Sequence, residues 1–176
     1  MAYLAPSEFV PKLIDAGESK IMMSTKDTLV RAYMAGAPLA LAAAFAVTIN
    51  VQTGQPLAGA ILFPVGFCML YLLGYDLLTG VFVLCPLAVW DKRPGCTWGG
   101  VLRNWGLVFT GNFAGALTTA VLMAIYWTYG FADEVNVVGQ KFATMGEKRT
   151  VGYAAFGAAG WLTIFVRAML CNWMVS

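Results

Sequence analysis

Hydrophobic and polar residues are sorted along this chain in two different ways. Over the first 27 positions, charged residues surround an apolar set, Phe9, Val10, Leu13, Ile14 and Ile21, that falls on one face at helical spacing. The pattern predicts a short amphipathic helix lying on a membrane surface, with Ser7 as its N-cap and Pro11 still within the tolerated first turn. A partly ordered tail is the alternative. From Leu29 onward the alternation disappears. Residues 29–51 form an alanine-rich apolar run longer than the roughly 20 residues a bilayer core requires, and no residue between Arg31 and Asp76 is charged. The polar turn NVQTGQP, residues 50–56, closes this first span.

A second apolar stretch, residues 57–90, is too long for one crossing and too short for two complete ones. Two half-helices, 57–74 and 82–90, joined by an irregular connector at 75–81, satisfy the arithmetic. Backbone N–H and C=O groups in such a connector cannot face lipid, because each unsatisfied group there costs several kcal/mol. Asp76 adds roughly 2.5–3.5 kcal/mol at helix-centre depth, so it needs a partner or a function. A loop lining a pore and a kink held by neighbouring helices both fit.

The segment DKRPGCTWGG, residues 91–100, is turn-rich and carries Lys92 and Arg93, with Arg103 at the foot of the next helix. The positive-inside rule makes it cytoplasmic, and the basic N-terminal segment falls on the same side after two crossings. A third span, 101–129, contains GNFAG, Gly111 to Gly115, a surface for close backbone approach. Trp98, Trp105, Tyr126, Trp127 and Tyr129 cluster toward its ends, as interfacial aromatics do. Residues 130–150 read as a polar outer loop. The last segment enters the membrane near Gly152 and stops without a charged anchor, capping glycine or polar tail, so the chain is expected to be the front part of a longer protein. The expected organisation is a cytoplasmic amphipathic segment at 1–27 and a transmembrane domain at 28–176.

Composition agrees with this outline. Hydrophobic residues make up 60% and charged residues 11% of the chain, and the mean hydropathy of +0.72 lies outside the range of soluble domains. The net charge of +2, without a basic run interleaved with aromatics, argues against nucleic acid and leaves the lipid bilayer as the partner. Cys68, Cys85, Cys96 and Cys171 form no CxxC pair and there is no histidine, so no metal or cofactor is expected. The charges between Glu8 and Arg31 fill the region where a cleavable signal would place its apolar core, so the first span does the targeting. With no histidine base, no nucleophile beside a base and no phosphate-binding glycine pattern, the chain is not expected to be an enzyme. Transport fits better, because discontinuous helices at mid-membrane are where channels and transporters place selective sites.

The stretches GYDLLTG at 74–80, TWGGVLRNWGLVFTGNFAGAL at 97–117 and RAMLCNWMVS at 167–176, with PSEF and AGESK near the N-terminus, occur in the order found in the formate/nitrite transporter family, which the whole chain resembles. The resemblance implies an all-α integral membrane protein with an aquaporin-like inverted-repeat helical bundle and a broken second helix, here truncated within the fourth helix. It also implies a homopentamer with one pore per protomer, passing formate, nitrite or a similar small monovalent anion, in the inner (plasma) membrane of a bacterium with its N-terminus cytoplasmic. By motif, Asp76, Leu77, Leu78, Thr79 and Gly80 correspond to the pore loop or gate, Phe63 and Phe67 to an apolar constriction, and Asn172 to a pore-supporting asparagine. Lys148 is the candidate for a vestibule lysine, with Lys141 its rival. The family's pore histidine lies in a second-repeat helix that this sequence does not reach.

Residue chemistry is compatible with those roles. Phe63 and Phe67, at i and i+4, share a helix face and can narrow one lumen, with lipid-facing or core positions as the alternative. The Thr79 hydroxyl can donate to an anion. Arg167 has no role beyond pairing with a carboxylate or reaching toward the interface. A non-transporting membrane subunit or assembly partner is the alternative function.

Overall fold

The computed structural model describes residues 5–175, and every regular element among them is helical. In chain order these are α1 (Pro6–Met22), α2 (Thr25–Thr53), α3 (Pro56–Leu62), α4 (Val65–Leu73), α5 (Leu78–Trp90), α6 (Trp98–Trp127) and α7 (Val137–Arg149), then a 3-10 segment (Val151–Phe156) and α8 (Gly157–Val175). Four segments are long and apolar enough to cross a membrane: Thr25–Thr53, Pro56–Leu73, Trp98–Trp127 and Val137–Val175; α5 is shorter. The chain is an integral membrane protein of all-α class.

The amphipathic first helix forms, but Ser7 is not its cap. Ala5 takes the cap position with an extended backbone, Pro6 supplies a preset first turn, and the Glu8 carboxylate accepts the Ala5 N–H at 3.1 Å. Pro11 consequently lies beyond the first turn. Ser24 then starts α2, its hydroxyl accepting the Asp27 N–H at 3.1 Å.

The second span is broken as expected, with different limits. Pro64 has no N–H to donate and interrupts the first half at Phe63–Pro64, dividing it into α3 and α4. Gly74, at φ +68°, ends α4 in the left-handed conformation that glycine adopts without strain. The connector is therefore residues 74–77 rather than 75–81. Leu78, Thr79, Gly80 and Val81 belong to the first turn of α5, with Leu77 as an extended N-cap. The Leu77 carbonyl accepts the N–H groups of Gly80 and Val81 at 3.1 and 3.2 Å, so helix formation satisfies groups that an open loop would leave unpaired.

The polar stretch expected as an outer loop contains a helix as well. Asn136 caps α7 through its Oδ1, which accepts the Gly139 N–H at 3.0 Å, and Lys148 and Arg149 sit in the last turn, where positive charge complements the helix dipole.

Two compact units divide the chain. The first holds residues 5–36 and Leu73–Gly115. Its core is Ile21, Ala32, Val81, Cys85, Ala88, Val101 and Val108, drawn from α1, α2, α5 and α6. Backbones approach closely: Gly17 of α1 meets the Leu84 carbonyl of α5, Gly36 of α2 meets the Asn112 carbonyl of α6, and a Cβ on Gly111 would stand 2.5 Å from that of Ala32. Small residues thus supply the contact that side chains supply in soluble cores. The second unit holds Ala37–Leu72 and Ala116–Val175. Here Gly59 of α3 abuts the Ala46 carbonyl and Gly66 of α4 abuts Ala42, packing both short helices on α2. The Thr119 hydroxyl donates to the Ala37 carbonyl at 3.1 Å, and Trp127 packs on Phe142 at 5.4 Å between ring centroids.

Candidate functional site

The break in the second span has a dedicated set of partners, all within the first unit. On the α2 side, Arg31 Nη1 donates to the Gly74 carbonyl at 3.0 Å, and the Arg31 carbonyl accepts the Asp76 N–H at 3.4 Å. Asp76 itself is 1% exposed, and its Oδ1 forms an ion pair with Nζ of Lys20, which projects from α1. The carboxylate that the sequence places at membrane depth therefore has its counter-charge on α1.

Asn112 of α6 closes the other side. Its Nδ2 donates to the carbonyls of Asp76 at 2.9 Å and Ala32 at 2.8 Å, while its Oδ1 accepts the Leu78 N–H at 2.9 Å. Only this orientation of the amide matches two acceptors and one donor. One side chain thereby satisfies the connector, the first N–H of α5 and the backbone of α2. Eight positions earlier on the same helix, buried Asn104 donates to the Lys20 carbonyl at 3.0 Å and accepts from Cys85 Sγ at 3.5 Å. Trp105 donates its indole N–H to the Val81 carbonyl at 3.1 Å and stands edge-on to Phe82, with centroids 4.7 Å apart.

Two buried polar atoms at the break have no hydrogen-bond partner among the described residues, Asp76 Oδ2 and Thr79 Oγ1. Thr79 lies on the first turn of α5, where helix geometry directs a partial positive charge outward. The site therefore offers a free hydroxyl at a helix start, beside a carboxylate already paired with Lys20.

The remaining sequence-predicted residues lie elsewhere. Phe63 occupies the turn between α3 and α4 and Phe67 the first turns of α4; both are half-buried, and their rings meet edge to face at 5.7 Å. The interruption at Pro64 has not separated the pair. Asn172, on α8, donates to the Ala168 carbonyl of its own helix at 2.8 Å. Lys141 and Lys148 are exposed on α7. Arg167 donates to the Tyr153 hydroxyl at 2.6 Å. At the foot of the first unit, Arg93 joins Asp15 at 2.7 Å, Glu18 at 3.7 Å and Asp91 at 2.9 Å, tying α1 to the turn after α5. All four cysteines are free.

Lys20, Asn104, Trp105 and Asn112 were not singled out as site residues by the sequence. The two asparagines carried a signal: an amide inside an apolar span must find a partner, and both stand on α6 within reach of the polar break.

A helical membrane protein whose second span breaks at mid-course, with side chains from α1 and from another span bound to the break, is the class this fold and site define. The family model described as formate/nitrite transporter matches residues 7–176, and the chain belongs to that family. It is 27% identical over 190 residues to the probable formate transporter of Methanothermobacter thermautotrophicus, a match covering 99% of this chain and 67% of that protein. It is 26% identical over 183 residues to the formate channel BtFdhC of Bacillus thuringiensis, covering 99% and 65%. With the formate channel FocA of Escherichia coli K12 it shares 31% identity over 136 residues, covering 74% of this chain and 47% of that one. The chain spans about two thirds of the length of the first two relatives. These relatives are named as transporters or channels, in agreement with the expectation of a non-enzymatic protein. No solved structure gives a significant match.

Proposed function

We propose that the protein carries small monovalent anions of the formate/nitrite class across a membrane, through a pore within each protomer. The observation that carries this reading is Thr79: a buried hydroxyl, unpartnered among the described residues, on the first turn of a helix that begins inside a span. A hydroxyl donor and the positive end of a helix suit an anion, and Lys20 offsets the repulsion that a bare Asp76 carboxylate would exert. Asp76, Leu77, Leu78, Thr79 and Gly80 form the gate in this reading. Leu77 and Leu78 give it an apolar lining, and Gly80 leaves open space where a side chain would stand, with nothing within 4 Å of a Cβ built there. Phe63 and Phe67 act as an apolar constriction that a hydrated cation does not pass.

Family membership supports assembly as a homopentamer, with the N-terminus on the cytoplasmic side of a bacterial inner membrane, Asn172 supporting the pore and Lys148 at its outer mouth. The test is uptake of labelled formate and of nitrite by liposomes containing the full chain. Saturable uptake above that of protein-free vesicles is expected. Rates equal to those of empty vesicles in correctly inserted protein would leave a non-transporting subunit as the better description.

A further inference from the structure

A cavity of about 430 Å3 lies within the second unit, bounded by α2, α3 with the turn after it, and α7. Two of its walls are matching helix faces. Four residues of α2, from Ala43 to Asn50, and four from Pro56 to Phe63 line it, each set falling at i, i+3, i+4 and i+7, the spacing of one face over two turns. Short side chains in the middle of both faces, Ala46 and Ala60 among them, leave the space open. The wall from Pro56 to Phe63 extends about 10 Å along its axis.

Polarity along this cavity is uneven. Its polar lining residues are Asn50, in the last turns of α2, and Arg149, at the end of α7. The Asn50 side chain faces α3, since a Cβ on Gly59 would stand 3.5 Å from that of Asn50. Arg149 is exposed and Asn50 half-buried, so the guanidinium marks the opening. Of the basic pair in the last turn of α7, Arg149 is the one that lines the cavity. The α3 wall ends on Phe63, whose ring meets that of Phe67 edge to face. Within two helical turns the surface passes from a cation and an amide to a pair of aromatic rings.

We propose that this cavity is the entrance to the Phe63 and Phe67 constriction, and that Arg149 and Asn50 select what enters: planar oxyanions such as a small carboxylate or nitrite, in preference to chloride. This rests on the transport reading. Charge at an opening raises the local concentration of anions and repels cations. The guanidinium adds geometry to charge, because its parallel N–H donors match two oxygens of one anion, a match that a spherical halide does not make. The Asn50 amide supplies a neutral donor further in, and a neutral donor lets the anion leave again, as conduction requires. Solvent screens an exposed arginine, so its effect is largest at low ionic strength.

Two readouts on the full chain in liposomes separate entry from transport. With Cys68, Cys96 and Cys171 replaced by serine, Ala60→Cys puts a thiol on the cavity wall. An anionic methanethiosulfonate reagent is expected to label it at least about fivefold faster than a cationic one, each relative to its rate with a free thiol, and Arg149→Gln brings the ratio close to one. Sodium formate slows the labelling more than sodium chloride at equal concentration. In uptake, Arg149→Gln raises the formate KM about two- to fivefold at low salt and lowers the maximal rate far less, and the difference shrinks at high salt. Arg149→Lys restores most of the KM but lets chloride compete better with formate, because the fork is lost. A labelling ratio and formate KM both unchanged in Arg149→Gln would overturn the proposal while leaving transport in place. Should that variant fail to insert, unchanged chloride competition in Arg149→Lys together with unchanged labelling in Asn50→Ala would do the same. Phosphatidylglycerol that slows both reagents alike would assign the cavity to a lipid chain and also overturn it. Charge-selective labelling governed by Arg149, in vesicles that take up no formate, would instead remove the transport reading and leave the selective cavity standing.

Discussion

Lys20 and Asp76 form an ion pair across 56 residues of sequence, with the aspartate side chain 1% exposed and the lysine 17%. Removing one partner of a buried pair leaves an uncompensated charge, so Lys20→Met is expected to lower stability by about 3–5 kcal/mol. The double variant Lys20→Met, Asp76→Asn removes both charges and is expected to recover most of that loss. Thermal unfolding in detergent measures both. A Lys20→Met protein as stable as the wild type would mean that something else keeps Asp76 buried.

Asn112 makes three hydrogen bonds with one amide, and each leaves a buried backbone group stranded when the side chain is cut back. Asn112→Ala should therefore destabilise by at least the roughly 1–3 kcal/mol of a single unsatisfied group. Asn112→Asp retains the acceptor for Leu78 but turns a donor toward two carbonyls into an oxygen, and it adds negative charge beside Asp76. It is expected to be the less stable of the two, and the ranking of their unfolding temperatures checks the assigned orientation of the amide.

Thr79→Val has the opposite profile. The hydroxyl has no hydrogen-bond partner among the described residues, so replacing it with a methyl of similar shape removes no protein contact. Stability should stay within about 0.5 kcal/mol of the wild type, while formate or nitrite flux falls. Equal flux from Thr79→Val would remove the hydroxyl from the gate.

Close helix contact predicts a fourth contrast. A Cβ at Gly36 would strike the backbone carbonyl of Asn112, which cannot yield as a flexible side chain would, whereas a Cβ at Gly106 meets nothing within 4 Å. Gly36→Ala is expected to cost about 1–3 kcal/mol through overpacking. Gly106→Ala should be neutral or gain up to about 1 kcal/mol from helix propensity. Expression level and unfolding temperature of the two alanine variants, compared side by side, test the assignment.

The spans, and the fact that the second one is interrupted, were legible in the sequence because both follow from length: 57–90 fits neither one crossing nor two, and Asp76 marks the place. The extent of the interruption was not legible. Thr79 and Gly80 look like breakers locally, and they become helical because Leu78 finds a cap on Asn112, 34 residues away. Lys20 was legible only as one charge among several on a polar segment, since nothing local distinguishes a solvated lysine from one that reaches a buried acid. The turn at Phe63 was written in Pro64, and the α7 cap in Asn136, but the surrounding hydrophobicity in one case and polarity in the other pointed elsewhere. Phe63 and Phe67 remained neighbours because the proline shifts the helix without reversing it. Arg167 could be flagged from sequence as unexplained, but its tyrosine partner depends on a chain reversal at Gly157.

The order in which the partners of Asp76 leave the ribosome gives the ion pair a further meaning. Lys20 is made 56 residues before the aspartate, and Asn112 36 residues after it. When the second span has been made, the amide that fastens its break has not yet been synthesised, but the cation that pairs with its acid has. The Lys20–Asp76 pair therefore needs only α1 and the second span, whereas the bonds from Asn112 wait for α6.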